Sequence, residues 1–295
     1  MKIFIASSEN HVGKIQEDIY LRDMFISKVC ESEILTLKNI LNIAQTGDTV
    51  ILKSIWGYHL NPEEFLSQVS ALTSKNVRLI NNLQFILWNI DKYQYLNDIK
   101  TLGVVPTKLL LIKDTDVASN LVSELGKDLD ENPLVIKPNI SASGYLTYLY
   151  DVEKDNTDII ASLLEYKHLD FITQPFRDSI TEGEISVIII NGKALYGIKR
   201  FPGVFVNKRN PDFIHMNNIP DVIHDKLKRI EEYFIQKFNR LPGICRVDFL
   251  RFQDTYEISE IELIDPDLFF RHIPEEVRKE ALLQFYAMIE TNNNN

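Results

Sequence analysis

Cysteine is scarce in this sequence of 295 residues, which contains only Cys30 and Cys245. Two cysteines form at most one disulfide, and without an export signal we expect both thiols to be reduced. Their spacing does not suggest a zinc site. Cys245 lies in an apolar strand pattern beside Arg246, which favours a buried structural thiol over a nucleophile.

Long apolar runs are also missing. The longest run, residues 185–190, is interrupted by Ser186 and is far shorter than the ~20 residues of a membrane helix. The apolar start of the chain, residues 1–6, is too short for the core of a signal peptide. We therefore expect a soluble, cytoplasmic protein that has no membrane partner.

Positive charge is in deficit, because 32 Lys and Arg stand against 42 Asp and Glu and give a net charge of -10. A nonspecific grip on nucleic acid needs clustered basic residues, so the composition argues against a nucleic-acid partner and favours a small molecule. With 45% hydrophobic and 25% charged residues, the chain resembles an ordinary globular protein.

The first third of the chain contains three short apolar segments that are predicted as strands, residues 2–6, 49–53 and 77–80. Asn61 and Pro62 supply an N-cap and a first-turn proline for a helix between the second and third strands. Residues 83–102 follow the helical spacing and are predicted as one helix that Gly103 ends. Strands that alternate with helices indicate a parallel sheet.

After Pro106 the pattern changes to strands rich in apolar and aromatic residues, predicted at residues 108–112, 134–137, 145–150 and 171–176. Residues 184–190 and 193–200 flank Asn191-Gly192, a dipeptide typical of two-residue β-hairpins. The last predicted elements are a helix at residues 221–238 and two strands at residues 244–252 and 256–264, joined by a turn at residues 253–254.

The last two strands carry acidic residues. Side chains alternate along a strand, so Arg246 and Asp248 share one face of the first strand, and Glu260 and Glu262 share one face of the second. Strand pairing brings the three carboxylates together, and hard oxygen ligands suit magnesium when phosphates complete its coordination. A solvated polar strand face is the alternative interpretation.

Two lysines and one small-residue turn are further candidates for binding anions. Lys137 ends an apolar strand, where a buried ammonium needs an anionic partner. Ser141, Ser143 and Gly144 belong to a turn whose backbone N–H groups can approach phosphate oxygens, although it matches neither a Walker loop nor a dinucleotide motif. Lys92 lies in the helix before Gly103, where a solvated surface position is the alternative.

Eight segments, each weak alone, together resemble the ATP-grasp superfamily, in the branch of glutathione synthetase and the D-cycloserine ligase-like proteins. They follow the family's order over about residues 50–270. The matching segments are residues 52–59, 88–96, 103–107, 135–138, 174–176, 183–186, 246–248 and 260–263.

The resemblance implies a nucleotide site. Lys92 and Lys137 would contact the ATP phosphates, with Lys137 near the adenine as well. The hinge beside the base would consist of Gln174, Pro175 and Phe176.

The resemblance also implies roles for the acidic residues. Glu184 would bind the ribose hydroxyls, and Asp248, Glu260 and Glu262 would hold Mg²⁺, with Mn²⁺ as an alternative. Glu262 stands where many relatives carry asparagine, and its carboxylate keeps an oxygen ligand.

The catalytic cations implied are Arg246 and either Lys199 or Arg200, which would stabilise charge on the transferred phosphoryl group. The turn with Ser141 and Ser143 would be a mobile lid that excludes water.

The family pattern implies an α/β fold, or more fully an α+β ATP-grasp fold. A parallel-sheet substrate-side domain at residues 1–103 would precede two α+β subdomains that sandwich ATP, residues 104–178 with the lid and residues 179–291 with the metal site. Residues 292–295 would be a frayed tail.

The substrate side departs from the family pattern. Lys53 and Gly57 stand where relatives usually have arginine and aspartate, and the change to lysine loses bidentate carboxylate recognition. Relatives tend to show a Gly-Asp-Phe-Arg run where this chain has residues 203–206, with Lys208 and Arg209 slightly later. Trp56, Tyr58 and His59 either line the acceptor pocket or pack in the core.

The function that the resemblance implies is an ATP-dependent carboxylate-amine ligase that forms an amide-type bond through an acyl phosphate and releases ADP and phosphate. Its substrates would be small-molecule or peptide carboxylates and amines. The alternatives are an ATP-grasp phosphotransferase acting on a hydroxyl, and an ATP-binding regulatory protein without turnover. The sequence identifies neither substrate and does not decide whether the protein forms a homodimer.

Overall fold

The structure, a computed structural model, describes residues 1–28, 31–112, 115–128, 131–201 and 210–290. Cys30, residues 203–206, Lys208, Arg209 and the predicted tail lie outside these ranges. Among the described helices, none has the length and apolar character needed to cross a membrane.

A parallel sheet of four strands forms first, in the order β2-β1-β3-β4. Its strands are β1 (Lys2–Ala6), β2 (Glu31–Leu35), β3 (Thr49–Leu52) and β4 (Arg78–Leu79). Its helices are α1 (Gln16–Ser27), α2 (Leu37–Ile43) and α3 (Pro62–Ser74). The predicted parallel sheet is confirmed, and Asn61 caps α3 by accepting the Glu64 N–H at 3.3 Å.

Helix α1 was not predicted from the sequence. Its buried face carries Glu17 and Asp18 beside Leu21 and Phe25, so charged residues interrupt the apolar stripe that identifies a helix.

The single helix predicted at residues 83–102 is wrong. The segment forms α4 (Leu83–Asn89), α5 (Lys92–Asp98) and a 3₁₀ turn (Lys100–Leu102). The break falls at Asp91, whose backbone is extended and whose carboxylate accepts the Gln94 N–H at 2.7 Å. An aspartate N-cap therefore starts a new helix inside a continuous apolar pattern.

A second, antiparallel sheet has the order β5-β8-β6-β7. Its elements are β5 (Lys108–Leu110), α6 (Thr115–Asp128), β6 (Leu134–Pro138), β7 (Tyr148–Tyr150), α7 (Thr157–Glu165) and β8 (Phe171–Pro175). Strand β7 is shorter than predicted because Ser143, Gly144 and Leu146 adopt positive φ angles and form a turn.

The third sheet is also antiparallel, in the order β11-β10-β9-β12-β13. Its elements are β9 (Glu184–Ile190), β10 (Lys193–Arg200), β11 (Asp212–His215), α8 (Asp221–Phe238), β12 (Ile244–Phe252) and β13 (Thr255–Glu262), followed by α9 (Glu275–Glu290). The β9–β10 hairpin and α8 have the predicted bounds. Asn191 and Gly192 form the hairpin turn with φ angles of 54° and 74°.

Apolar packing joins the first and third sheets. Leu21 of α1, Ile3 of β1, Ile190 of β9 and Phe285 of α9 belong to one buried cluster. The side chain of Asn89 bridges the same two parts, because it donates to the Ile261 carbonyl at 2.7 Å. The boundaries proposed near residues 103 and 178 stay predictions.

Candidate active site

Three carboxylates meet where β12 pairs with β13. In the register, Asp248 faces Glu260, and Arg246 faces Glu262. One oxygen atom from each of Asp248, Glu260 and Glu262 lies within 4.8 Å of the other two. The two strands therefore bring the three acidic groups together, as the alternation of side chains predicted.

Arginine and lysine side chains surround this cluster. Lys92 Nζ lies 2.5 Å from Glu260 Oε1, and Arg246 donates to Glu262 at 2.7 Å and to Asp248 at 2.9 Å. Arg200 lies 2.6 Å from Asp248 and 2.7 Å from Glu184. These contacts form one network of charges.

The pKa values follow from burial and from these neighbours. Burial raises the pKa of Glu262 to about 7, with a further contribution from the nearby Glu260 and Asp248 and with Arg246 opposing the shift. Burial alone would raise the pKa of Asp248, but Arg200 and Arg246 hold it well below its usual range. For Glu262, burial and the neighbouring carboxylates together outweigh the attraction of Arg246 and Arg200.

The cluster suits a divalent cation. Its donors are all carboxylate oxygens, which are the ligands that Mg²⁺ prefers, and their spacing allows one ion to contact all three residues. A bound cation would also relieve the repulsion that raises the Glu262 pKa. The residues present therefore fit the predicted magnesium site.

The cluster forms one wall of a cleft with a cavity volume of about 460 Å³. Every predicted site residue except Lys199 and Asp248 lines this cleft. Those that do are Lys92, Lys137, Ser141, Ser143, Gly144, Gln174, Pro175, Phe176, Glu184, Arg200, Arg246, Glu260 and Glu262.

The two exceptions have structural reasons. Asp248 is fully buried, and Arg200 and Arg246 both contact its carboxylate. Lys199 precedes Arg200 and points to the other side of β10, where its side chain packs beside Gly183. Of the two alternatives in the hairpin, Arg200 is thus the one that faces the cleft.

Lys137 presents its ammonium group to the cleft. Burial lowers its pKa, and Lys92 lowers it further, while Glu260 and Glu184 oppose this effect. No salt bridge of Lys137 within 4.0 Å is found among the described residues. An ammonium group in this environment favours an anionic ligand.

The opposite end of the cleft is more apolar. Val105, Val135, Ile180 and Leu250 line it together with the residues 174–176 at the end of β8. Gln174 is fixed there by donating to Thr107 Oγ1 at 2.9 Å. The cleft thus joins an apolar slot to a charged wall.

Glu184 lies between these two ends. Its carboxylate accepts a hydrogen bond from Ser259 at 2.5 Å and forms an ion pair with Arg200. Burial raises its pKa, and Arg200 opposes the shift.

Several lining residues were missed by sequence reasoning, among them Arg177, Ser259, Asp265, Asp267 and Phe269. The sequence did offer a signal for two of them, because Asp265 and Asp267 follow the acidic strand β13 directly. Arg177 follows the predicted hinge; its guanidinium lies 3.8 Å from the centre of the Phe252 ring.

The substrate-side residues divide between cleft and core. Trp56 is 43% exposed and lines the cleft, whereas Tyr58 packs against the buried core of the first sheet. The His59 ring contacts the ring of Tyr145, which follows the predicted lid, at a centroid distance of 5.0 Å and an angle of 55°. Lys53 is only 2% exposed, and its Nζ lies 2.5 Å from Glu17.

The arrangement of three sheets around this cleft is the ATP-grasp fold, as the resemblance of the sequence predicted. No protein-family model matches the sequence, and no curated protein matches it.

Solved structures define the likeness. The D-cycloserine synthetase DcsG matches with a TM-score of 0.76 and 16% identity over 97% of this chain and 99% of that chain. The ATP-grasp ligase PsnB, in complex with a minimal precursor, Mg and ADP, matches with a TM-score of 0.61 and 13% identity over 98% of each chain. D-alanine–D-alanine ligase from Bacillus anthracis, in complex with ATP, matches with a TM-score of 0.68 and 15% identity over 99% of this chain and 96% of that chain. At these identities the likeness shows the fold.

Proposed function

We propose that the protein is an ATP-dependent carboxylate-amine ligase that activates its carboxylate substrate as an acyl phosphate. The observation that carries the proposal is the charged wall of the cleft, where Asp248, Glu260 and Glu262 meet Arg200 and Arg246. The ligases named above share the fold, and two of their structures hold a nucleotide.

ATP would lie along the cleft. The apolar slot beside Gln174 and Phe176 suits the adenine, and Glu184 is near enough to the charged wall to receive the ribose hydroxyls. Lys92 and Lys137 would bind the phosphates, because both ammonium groups line the charged part of the cleft.

Mg²⁺, or Mn²⁺ in its place, would be held by Asp248, Glu260 and Glu262 and would neutralise phosphate charge there. Lys92 pairs with Glu260 in this structure, so binding of the nucleotide would exchange this contact for phosphate contacts.

The reaction brings anions together. The substrate carboxylate attacks the γ-phosphorus of ATP, an acyl phosphate forms and ADP leaves. The neutral amine then attacks the carbonyl carbon, phosphate leaves and the nitrogen gives up one proton. Arg200 and Arg246 are held in place by Asp248, so their guanidinium groups are preorganised to stabilise the charge on the transferred phosphoryl group. The turn with Ser141, Ser143 and Gly144 would close over the phosphates and exclude water.

The test is ADP release with magnesium and ATP across a panel of amino acids, dipeptides and diamino acids. We expect release that depends on one carboxylate and one amine, and that is lost in Lys137→Ala and Glu262→Ala. Mass spectrometry of the product distinguishes an amide from a phosphorylated hydroxyl, which would identify a phosphotransferase. ATP binding without turnover on any substrate would support a regulatory protein, and absence of ATP binding would refute the proposal.

A further inference from the structure

A second, smaller cavity of about 50 Å³ adjoins the cleft and shares Trp56, Asp265 and Asp267 with it as lining residues. Its other walls come from α1 and from the segment that follows β3. The cavity is therefore an extension of the cleft between the first sheet and the loop after β13.

The two cations that line this extension are already paired. Lys53 Nζ lies 2.5 Å from Glu17 and donates to the Pro266 carbonyl at 2.5 Å. Arg271 lies 3.6 Å from Asp267. A substrate carboxylate would have to displace the internal contacts of Lys53 in order to bind it, whereas Arg271 is largely exposed.

Glu17 also has a structural task. Its carboxylate accepts the backbone N–H of Leu268 at 3.2 Å and that of Phe270 at 3.3 Å. Together with Lys53, it fixes the loop after β13 against α1. This loop carries Asp265, so the contacts to the residues that follow it also restrict the position of Asp265.

Asp265 is the carboxylate in this loop that the contacts of Lys53 and Glu17 do not engage. Its Oδ2 atom is buried and has no hydrogen-bond partner in the described part of the chain. Burial raises its pKa well above the usual value, and Glu262 adds to the shift. A buried carboxyl oxygen without a partner costs stability, and contact of this half-buried side chain with a cationic ligand would offset that cost.

Trp56 supplies a second feature that suits a cation. Its side chain is 43% exposed although it lines both cavities, and the edge contact with His11 at 4.6 Å fixes its ring. An aromatic face beside a carboxylate is a common arrangement for binding an ammonium group. The small volume of the extension fits such a group, since a cavity of roughly 10–15 Å³ already holds one water molecule.

We propose that Asp265, which lines the extension together with Trp56, binds the ammonium group of the acceptor amine, so that this substrate enters the cleft as a cation and passes one proton to the Asp265 carboxylate before its nitrogen attacks the acyl phosphate. The assignment rests on the proposed ligase function for the identity of the ligand as the acceptor. Lys53, which donates to the Pro266 carbonyl, helps to position the loop after β13.

The first test measures binding to the full-length protein by calorimetry, with glycinamide and N-acetylglycinamide as probes. The former carries an ammonium group and the latter is neutral. We expect the wild-type protein and the control Asp254→Asn, which changes an exposed turn residue, to prefer glycinamide by about tenfold or more. Asp265→Asn should lose this preference. Equal binding of both probes by the wild type, or a preference retained by Asp265→Asn, would overturn the assignment.

A stability measurement separates ligand binding from a structural role. Since Asp265 Oδ2 has no partner, Asp265→Asn should melt at or above the temperature of the wild type at neutral pH. A lower melting temperature would assign Asp265 to the scaffold and refute the proposal.

Turnover distinguishes this inference from the ligase proposal. Hydroxylamine is largely uncharged at neutral pH and traps acyl phosphates as hydroxamates. Asp265→Asn should lower amide formation at limiting amine by about tenfold more than it lowers hydroxamate formation, and equal losses would count against the assignment. A wild-type protein that forms no hydroxamate with any carboxylate refutes the ligase, while the probe preference still decides the role of Asp265.

Discussion

Asp18 is a buried carboxylate on α1, and its replacement by asparagine should stabilise the protein at neutral pH. The side chain is fully buried, and only its Oδ1 atom has a hydrogen bond, which it accepts from Ser54 at 3.0 Å. Burial raises the pKa from 3.8 to about 6, although Lys53 and Ser54 oppose the shift.

The sign follows from the raised pKa. The folded protein binds the Asp18 proton more tightly than the unfolded chain does, so the free energy of unfolding falls as the pH rises from about 4 to about 6. The difference between 3.8 and about 6 corresponds to about 3 kcal/mol, because one pKa unit is worth about 1.4 kcal/mol.

Asparagine mimics the protonated carboxyl. It keeps an oxygen acceptor for Ser54 and places no charge in the buried site. Asp18→Asn should therefore match the wild type near pH 4 and exceed it by about 3 kcal/mol at pH 7.

The assay is urea unfolding between pH 4 and pH 8, followed by tryptophan fluorescence. Asp23→Asn, which changes an exposed carboxylate on the same helix, is the matched control and should show no such pH dependence. If the stability difference between Asp18→Asn and the wild type is the same at every pH, the reasoning is wrong.

Three further substitutions test other parts of the structure. Lys137→Met should weaken binding of magnesium-ATP by about 10- to 100-fold in calorimetry, because it removes a charged phosphate donor. Asn81→Ala should lower the free energy of unfolding by about 2–4 kcal/mol in urea titrations, since it deletes buried hydrogen bonds to Ile244 and Leu263 and leaves their carbonyls unpaired. Gly183→Ala should destabilise the fold more than Gly47→Ala. Both glycines have positive φ angles, but only at Gly183 would a Cβ meet Lys199, at 2.8 Å. A smaller loss in Gly183→Ala would contradict this steric account.

The sequence predicted the elements whose signals are local. The Asn191-Gly192 turn was enough to predict the hairpin, and the apolar periodicity of α8 was enough to predict where this helix begins and ends. The prediction failed where polar contacts override the local pattern, as at Asp91, which caps a new helix within an apolar stretch. It failed again at α1, where Glu17 and Asp18 are buried through contacts that only the folded chain provides.

The charged wall of the cleft and the extension differ in how far the sequence predicts them. The charged wall comes from β12 and β13, which are adjacent in the chain, so alternation along two strands was enough to gather Asp248 and Glu260. The extension is assembled from α1, the segment after β3 and the loop after β13, and the contact of Lys53 with the Pro266 carbonyl spans 213 residues. Contacts across that separation pair Lys53 with Glu17 and the Pro266 carbonyl, whereas Asp265 Oδ2 has no hydrogen-bond partner among the described residues. The chemistry of the substrate side therefore depends on tertiary contacts. An arginine, which relatives usually have at the position of Lys53, would indicate a carboxylate site, whereas the proposed role of Asp265 makes the extension a site for a cation.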